Sequence, residues 1–532
     1  MRDYPAPSVP NSTTTPDHTA GIIDTLQSLI VAFTLAMTFR GFVVEGFVIP
    51  TGSMAPTLMG QHIKLASGQT GSMVPVGLDS GGRIVPSMLR DHLLGPGQPM
   101  TVATKSSFTP RGGDRILVAK LLYPFVEPDR WDVIVFKNPA MPEGDSGTYI
   151  KRLAALPGET PWVVDGDLFI KAPGENEFHV ARKPDHVQQA VWQLVHDSDT
   201  TVALPSKLPR RAIQGPWVAT PPSNWTMTAG AFETTSDSLA HLEWNDRRFP
   251  LSDWSAYNML MTVPDLNPVS DLRVAATIEA FGDGLDAAFT LKARSHVYEV
   301  RVKRGVVTLS MWPESDPSSA VSTQNDVPVS MSKPWRLVVE HADQRLRVWI
   351  EDQEVGVIEY DWTPQQRLAN AVGQHGSQES AKDLLKRSVQ NPSLVWSMSG
   401  APASITNITV QRDLFYRGGT LGPQSLTNKP AEAYYDRVYP NAPAAATHPD
   451  SVFTLGPDHF FVMGDNSGRS LDARLWGAPA PITATQVDDT PFVVPRDLLI
   501  GKAFGVYLPS MLPAWDGGPT LIPDFGRIRF IH

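Results

Sequence analysis

One apolar run fixes the start of this chain and limits what can follow it. From Gly21 to Phe39 the sequence reads GIIDTLQSLIVAFTLAMTF, and Ile22 to Phe39 is 18 residues. As a helix that is roughly 27 Å, about the thickness of a bilayer's hydrocarbon core. Asp24 and Gln27 lie near one end. A cleaved signal peptide would follow a short basic region and end in small residues. Here a polar tail with a single Arg precedes the run, and Arg40 follows it. The run therefore reads as an uncleaved anchor over 21–40, behind a disordered tail over 1–20 rich in Pro, Ser and Thr. Arg2 and Arg40 flank it on both sides, so charge alone does not orient it.

After the anchor the chain carries 48 Pro and 40 Gly, which favours short strands over long helices. Strands are expected at Phe42–Ile49, Thr148–Leu153, His459–Met463 and Gly501–Tyr507, and Gly113–Lys120 and Arg130–Lys137 each read as a turn followed by a strand. Residues 60–112 read as an irregular insert. Residues 175–224 read as a charged, Pro-rich linker with one helical patch near Val187–Val195. The stretch 225–416 differs in character: eight short runs rich in Val, Ile and Trp lie between Leu272 and Gln411. Arg336–Glu340 and Arg345–Ile350, joined by His341-Ala342-Asp343-Gln344, read as a hairpin. This block is expected to be an antiparallel β-sandwich, followed by a Pro/Ala-rich return over 417–450.

Composition excludes several chemistries. A formal net charge of -10 without a basic run argues against nucleic acid as a partner. With no cysteine there is no thiol nucleophile, disulfide or cysteine-ligated metal. The nucleophile candidates are then hydroxyls and amines. In Ile49-Pro50-Thr51-Gly52-Ser53-Met54-Ala55-Pro56-Thr57-Leu58, two prolines hold the backbone out of helix and Gly52 permits unusual dihedrals before Ser53. Such a turn can present a hydroxyl at a strand end, though Gly-Ser turns are common. A serine needs a base. Of the 13 histidines only His459 falls in the strand–turn stretches that flank the insert, and it reads as structural. Lys151 is the alternative, at the end of the apolar strand through Tyr149 and Ile150. Burial would lower its amine from about 10.4. Taken alone, a solvated strand-end lysine is the commoner reading.

Four stretches change the balance. PTGSMAPTL, GDRILVAK with RWDVIVFKNP, TYIKRLAALPGE and GDNSGRSLDARLWG occur in this order behind the anchor. Together they resemble the conserved boxes of the bacterial type I signal peptidases, the Ser/Lys leader peptidases, over roughly 21–174 and 450–510. The resemblance implies Ser53 as nucleophile and Lys151 as general base. It implies an oxyanion hole made by the Ser53 N–H and the Thr51 hydroxyl. Ser470 matches the serine that orients the lysine, Asp472 and Arg474 a buried supporting pair, and Asp465 the acidic residue of the Gly-Asp-Asn turn. Phe47, Ile49, Met54, Leu58, Val135, Tyr149 and Ile150 match pocket-lining positions for the small residues that precede a cleavage site. An extended substrate is expected to add as a strand beside Phe47–Ile49 and Thr148–Ile150. Ala155 stands where the lysine box often has glycine.

The expected architecture is mainly β: a transmembrane anchor, and a catalytic domain in two parts, 41–174 and 417–532, interrupted by the sandwich. The sandwich resembles concanavalin-like, laminin-G-type folds in segments such as KPWRLVVEHADQRLRVWIEDQEV. It reads as an independent module, dispensable for cleavage, with an unknown ligand. Expected partners are signal peptides of exported preproteins, the bilayer and the secretion translocon, with no cofactor and no metal. The expected location is the bacterial cytoplasmic membrane, single-pass, with the catalytic domain outside. Two other readings are a tethered binding protein with an inactive peptidase half, and a self-cleaving repressor relative. Intact Ser53, Lys151, Ser470 and Asp472 weigh against the first. The anchor and the lack of a DNA-binding segment weigh against the second.

Overall fold

A computed structural model describes residues 18–78, 89–91, 93–94, 100–103, 108–144, 147–199, 215–228, 230–259, 266–326, 333–422, 441–513 and 520–532. The tail expected over 1–20 lies outside these residues as far as 17. The helix His18–Phe42 contains the apolar run. Its Ile22–Phe42 part has a mean hydropathy of 1.7 and is not buried by the other described residues. Ile30, Phe33 and Leu35 are all at least 60% exposed. A helix apolar on every side and uncovered by protein is suited to a bilayer.

The helix runs straight into an antiparallel sheet. Its order is Val44–Val48, Arg115–Ala119, Leu499–Leu508, Val133–Lys137, Thr148–Ala155, His459–Met463 and Val494–Pro495, with Arg529–Phe530 added beside Leu499–Leu508. Strands from the first third of the chain thus alternate with strands from its last 80 residues. Val133, Ile134, Val135 and Phe136 are all buried, so this central strand is covered on both faces. One apolar cluster holds Ile49, Met54, Leu58, Ile116, Val133 and Val135. Another, around Phe136, Leu153, Phe460, Phe461 and Trp476, closes the opposite side.

Between these two runs the chain builds two facing sheets over one core that includes Phe289, Tyr298, Trp335 and Trp396. The expected hairpin forms from Trp335–Ala342 and Arg345–Ile350, with Asp343 and Gln344 at φ 49° and 59° in its two-residue turn. The sheets reach further back than the sequence suggests. Gln193–Asp197 pairs with Ala403–Arg412, and Trp217–Thr220 pairs with Ala240–Trp244, although both lie in the stretch read as a linker. The helix there is Asp185–Val191, shorter than expected.

Residues 60–112 are not irregular throughout. His62–Ala66 and Met73–Gly77 form a hairpin whose Ile63, Leu65, Val74 and Val76 are fully buried. They pack against Ala256 and Met259, which belong to the sandwich segment. Five-residue strands set among Gly, Ser and Pro carry too short a period to stand out in sequence.

The sandwich is also joined to the first sheet's half of the molecule by buried charge. Asp165 and Asp167 lie at the turn of the hairpin Thr160–Val164 and Asp167–Lys171. Arg367 Nε donates to Asp165 (2.9 Å), its NH2 donates to Asp167 (2.7 Å), and Arg294 Nε also donates to Asp165 (2.7 Å). Lys183 Nζ donates to Asp343 (2.6 Å) and Asp413 (2.8 Å). The sandwich thus does not stand apart from the first sheet's half of the molecule. Charges this deep are tolerated only when paired, and here the partners come from different halves.

Candidate active site

The stretch Thr51–Leu58 forms a tight turn, closed by Ala55 N donating to Gly52 O (3.1 Å) and Leu58 N to Met54 O (2.9 Å). Gly52 is needed there for closeness rather than for unusual dihedrals. A Cβ at this position would stand 2.2 Å from the Tyr257 ring, and Gly52 is not among the glycines with positive φ. The turn places Ser53, 6% exposed, against the Lys151 strand.

Lys151 Nζ lies 2.7 Å from Ser53 Oγ and donates to it. A second bond runs to the Ile150 carbonyl at 2.9 Å. Lys151 is 3% exposed. Burial pulls its amine down to about 8, with Asp472 and Asp465 opposing the shift and Arg474 assisting it. The Tyr149 ring centroid is 5.1 Å from the amine. The amine can therefore lose its proton near neutral pH while in contact with the hydroxyl, the arrangement a serine nucleophile requires.

Neither the Ser53 N–H nor the Thr51 hydroxyl donates to another group among the described residues. Thr51 is exposed and adjoins the nucleophile turn.

The Gly-Asp-Asn turn after the strand His459–Met463 supports this pair from behind. Asn466 N donates to Ser53 O (3.0 Å), and Asn466 Nδ2 donates to Gly52 O (2.9 Å). Asp465 accepts from Arg152 Nε (2.8 Å), Arg152 NH2 (2.7 Å) and the Thr57 hydroxyl (2.6 Å). Asp472 accepts from Gly464 N (2.9 Å) and, through both oxygens, from Arg474 Nε (2.8 Å) and NH2 (2.7 Å). Burial alone would raise the Asp472 carboxyl, but the Arg474 charge and these hydrogen bonds outweigh it and hold the group down.

Ser470 is buried beside the dyad. A Cβ at Gly464 would stand 2.3 Å from Ser470 Oγ and 2.5 Å from Ser53 O, so glycine lets the three groups meet. The Ser470 hydroxyl makes no hydrogen bond to Lys151, contrary to the orienting role the resemblance implies. It stands close enough to Asp472 to help depress that carboxyl, though outside hydrogen-bond geometry. In this structure Lys151 is aimed by Ser53 and the Ile150 carbonyl.

Six of the seven pocket candidates share one apolar cluster, while Tyr149 packs against the other, beside Phe136. Met54 and Leu58 are 0% exposed, Val135 1% and Ile49 2%, and all four sit in the apolar cluster under the turn. Phe47 and Tyr149 are half-buried, and Ile150 borders them at 9%. The four buried residues lie beneath the turn and offer almost no surface of their own. His459 contacts Asp488 (3.0 Å) and takes no part.

Sequence reasoning missed Arg152, Thr57, Asn466, Tyr257 and Asn258. Arg152 had a usable signal: a charge inside the apolar strand IKRLAAL needs a buried partner. Tyr257 and Asn258 had none, because about 200 residues separate them from the turn they touch.

The description "Signal peptidase, peptidase S26" matches residues 96–206, a stretch that contains Lys151 but neither Ser53 nor Ser470. Signal peptidase I of Pseudomonas aeruginosa is 25% identical over 154 residues, covering 25% of this chain and 48% of that protein. Signal peptidase I of Leptolyngbya laminosa is 24% identical over 195 residues, covering 35% of this chain and 68% of that protein. The chain spans about half the length of the Pseudomonas relatives it matches. Among solved structures, a carbohydrate-binding module from Bacillus subtilis aligns over 37% of this chain and 95% of its own, at 14% identity and a TM-score of 0.23. With a matched lysine segment, and a serine brought to it from outside that segment, the chain is similar over part of its length to the bacterial type I signal peptidases.

Proposed function

We propose that this protein is a membrane-anchored serine endopeptidase that removes signal peptides from exported preproteins. The observation that carries the reading is the 2.7 Å contact between Ser53 Oγ and Lys151 Nζ, in a site that draws the lysine down to about 8. Neutral Lys151 takes the Ser53 proton as Oγ attacks the scissile carbonyl. The Ser53 N–H and Thr51 hydroxyl receive the oxyanion. Protonated Lys151 then passes its proton to the leaving amine, which is the new N-terminus of the mature protein. Neutral Lys151 next takes a proton from water as it attacks the acyl carbon, and returns that proton to Ser53 Oγ as the ester bond breaks and the signal peptide leaves as its acid.

Two unpaired backbone edges support binding by strand addition. Among the described residues, Val44–Val48 is the first strand of its sheet and pairs on one side only. Among the same residues, only Arg152, Leu153 and Ala155 of Thr148–Ala155 pair with His459–Met463, which leaves Thr148 to Ile150 without a strand on that side. An extended peptide between these edges gains main-chain hydrogen bonds, with alternate side chains turned toward Phe47, Tyr149 and Ile150. The helix ends at Phe42 and Ser53 follows 11 residues later, which keeps the site close to the membrane surface. The single anchor, an outward catalytic half and an encounter with the translocon belong to the same proposal.

The test is cleavage of a signal-peptide-bearing preprotein by the purified full chain in detergent, with Ser53→Ala beside it. A single cut after the signal peptide, absent in the variant, supports the reading. No cut by the unmodified chain overturns it.

A further inference from the structure

The sandwich segment reaches into the nucleophile turn. Tyr257 and Asn258 lie in the short helical turn Ala256–Asn258, between the sandwich strands Ala240–Trp244 and Leu272–Ala280. Tyr257 is 3% exposed and wedged between two glycines. Its ring would be 2.2 Å from a Cβ at Gly52 and 2.3 Å from one at Gly77. Its hydroxyl donates to Gln61 O (3.4 Å), and the Arg469 guanidinium lies 5.4 Å from the ring centroid. Ala55 and Met59 close around it from the turn itself.

Asn258 completes the contact. Its Nδ2 donates to Asn466 Oδ1 (2.7 Å), and Asn466 Nδ2 donates back to Asn258 Oδ1 (2.9 Å). This reciprocal amide pair fixes which way the Asn466 side chain faces. The same Nδ2 also holds Gly52 O, and the Asn466 main chain holds Ser53 O. Both asparagines are over 90% buried, so water does not replace a lost partner without rearrangement.

We infer that Tyr257 and Asn258 are positioning residues for the nucleophile turn, and that the inserted segment is a working part of the active site. The inference rests on the peptidase reading. Asn258 orients Asn466, Asn466 pins the carbonyls of Gly52 and Ser53, and Tyr257 stops Gly52 from moving away. The Ser53 N–H lies in the peptide unit that begins at the Gly52 carbonyl. Fixing that carbonyl therefore fixes the direction of the oxyanion donor. A misaimed donor weakens binding of the transition state more than of the ground state, so the cost falls on kcat.

The experiment uses the full chain in detergent and compares Asn258→Ala, Asn466→Ala and the double variant. Cleavage kinetics and deuterium uptake in a peptide covering residues 49–59 are measured together. Asn258→Ala should lose about tenfold in kcat with KM within about twofold, and the rise in rate near pH 8 should stay in place. Deuterium uptake in that peptide should increase, because the Ala55 N–H is protected by the Gly52 carbonyl. The double variant should match Asn466→Ala within about twofold, because one acts through the other. Asn258→Ser, which keeps one hydrogen-bonding group, should recover part of the loss, and it replaces the alanine variant if that does not fold. Wild-type kcat in the Asn258 variants, losses that multiply in the double variant, or unchanged uptake would each overturn the inference. If the unmodified chain cleaves nothing, the peptidase reading fails, while the uptake comparison still decides whether Asn258 holds the turn.

Discussion

Arg152, the residue after Lys151, forms a two-pronged ion pair with Asp465 in which both side chains are fully buried. The pair sets the Lys151 strand against the Gly-Asp-Asn turn. That turn in turn holds the Ser53 carbonyl through Asn466. Asp465→Asn should therefore leave a guanidinium buried without its counter-charge, at a cost of about 3–5 kcal/mol. Urea denaturation of the variant and the parent measures the loss. A change below about 1 kcal/mol would mean that water or another carboxylate replaces Asp465.

Replacing Ser53 or Lys151 by Ala should lower kcat by at least about a thousandfold while the fold survives. Lys151→Arg should fail equally. Arginine keeps its proton in a protein and cannot act as a base. Near-normal turnover in any of the three would remove the dyad assignment. Circular dichroism on the same samples separates lost chemistry from lost structure.

The dependence of kcat/KM on pH should show a limb rising with pH and centred near 8. The sign follows from the group: Lys151 is lowered to about 8 by burial, and only its neutral form accepts the serine proton. Below that pH the amine stays protonated and the rate falls. The group is a lysine, so the limb should not move when His459, the one histidine in the strand–turn stretches that flank the insert, becomes Asn. A limb that vanishes in that variant would contradict the assignment.

The strands of the first sheet were legible in sequence because they are local, whereas Ser53 and Lys151 are 98 residues apart and were brought together only by the resemblance of the four stretches. Lys151 ends an apolar run, Ser53 sits in a Gly/Pro turn, and the Asp472–Arg474 pair is two residues apart. The sandwich was legible from its alternating Val, Ile and Trp. Its first strands were not, because Gln193–Asp197 and Trp217–Thr220 are short and mixed in character. What sequence could not show is how the two halves meet. The contacts of Asn258 with Asn466 and of Arg367 with Asp165 join residues about 200 apart, and nothing in either neighbourhood names the other.

The inserted sandwich and the catalytic half should unfold together. Arg367 is 0% exposed and bonds to Asp165, Asp167 and Asp271, of which the first two lie outside the sandwich. Arg294 bridges Asp165 and Asp271 in the same way. Burial pushes the Asp167 carboxyl up, and Arg367 opposes that shift. Separating the halves would expose or strand these charges, and each unpaired one carries a penalty of several kcal/mol. The apolar contacts of Ala256 and Met259 with the hairpin His62–Gly77 add to that penalty. Calorimetry of the full chain should therefore show one main transition for both halves, rather than two. Arg367→Met should lower its stability by about 3–5 kcal/mol. Replacing 225–412 by a Gly/Ser linker removes Tyr257, Asn258, Asp271, Arg294 and Arg367 at once, so the remainder should lose both cleavage and cooperative unfolding. Two separate transitions, or an active linker variant, would restore the picture of a freestanding module that the sequence alone suggests.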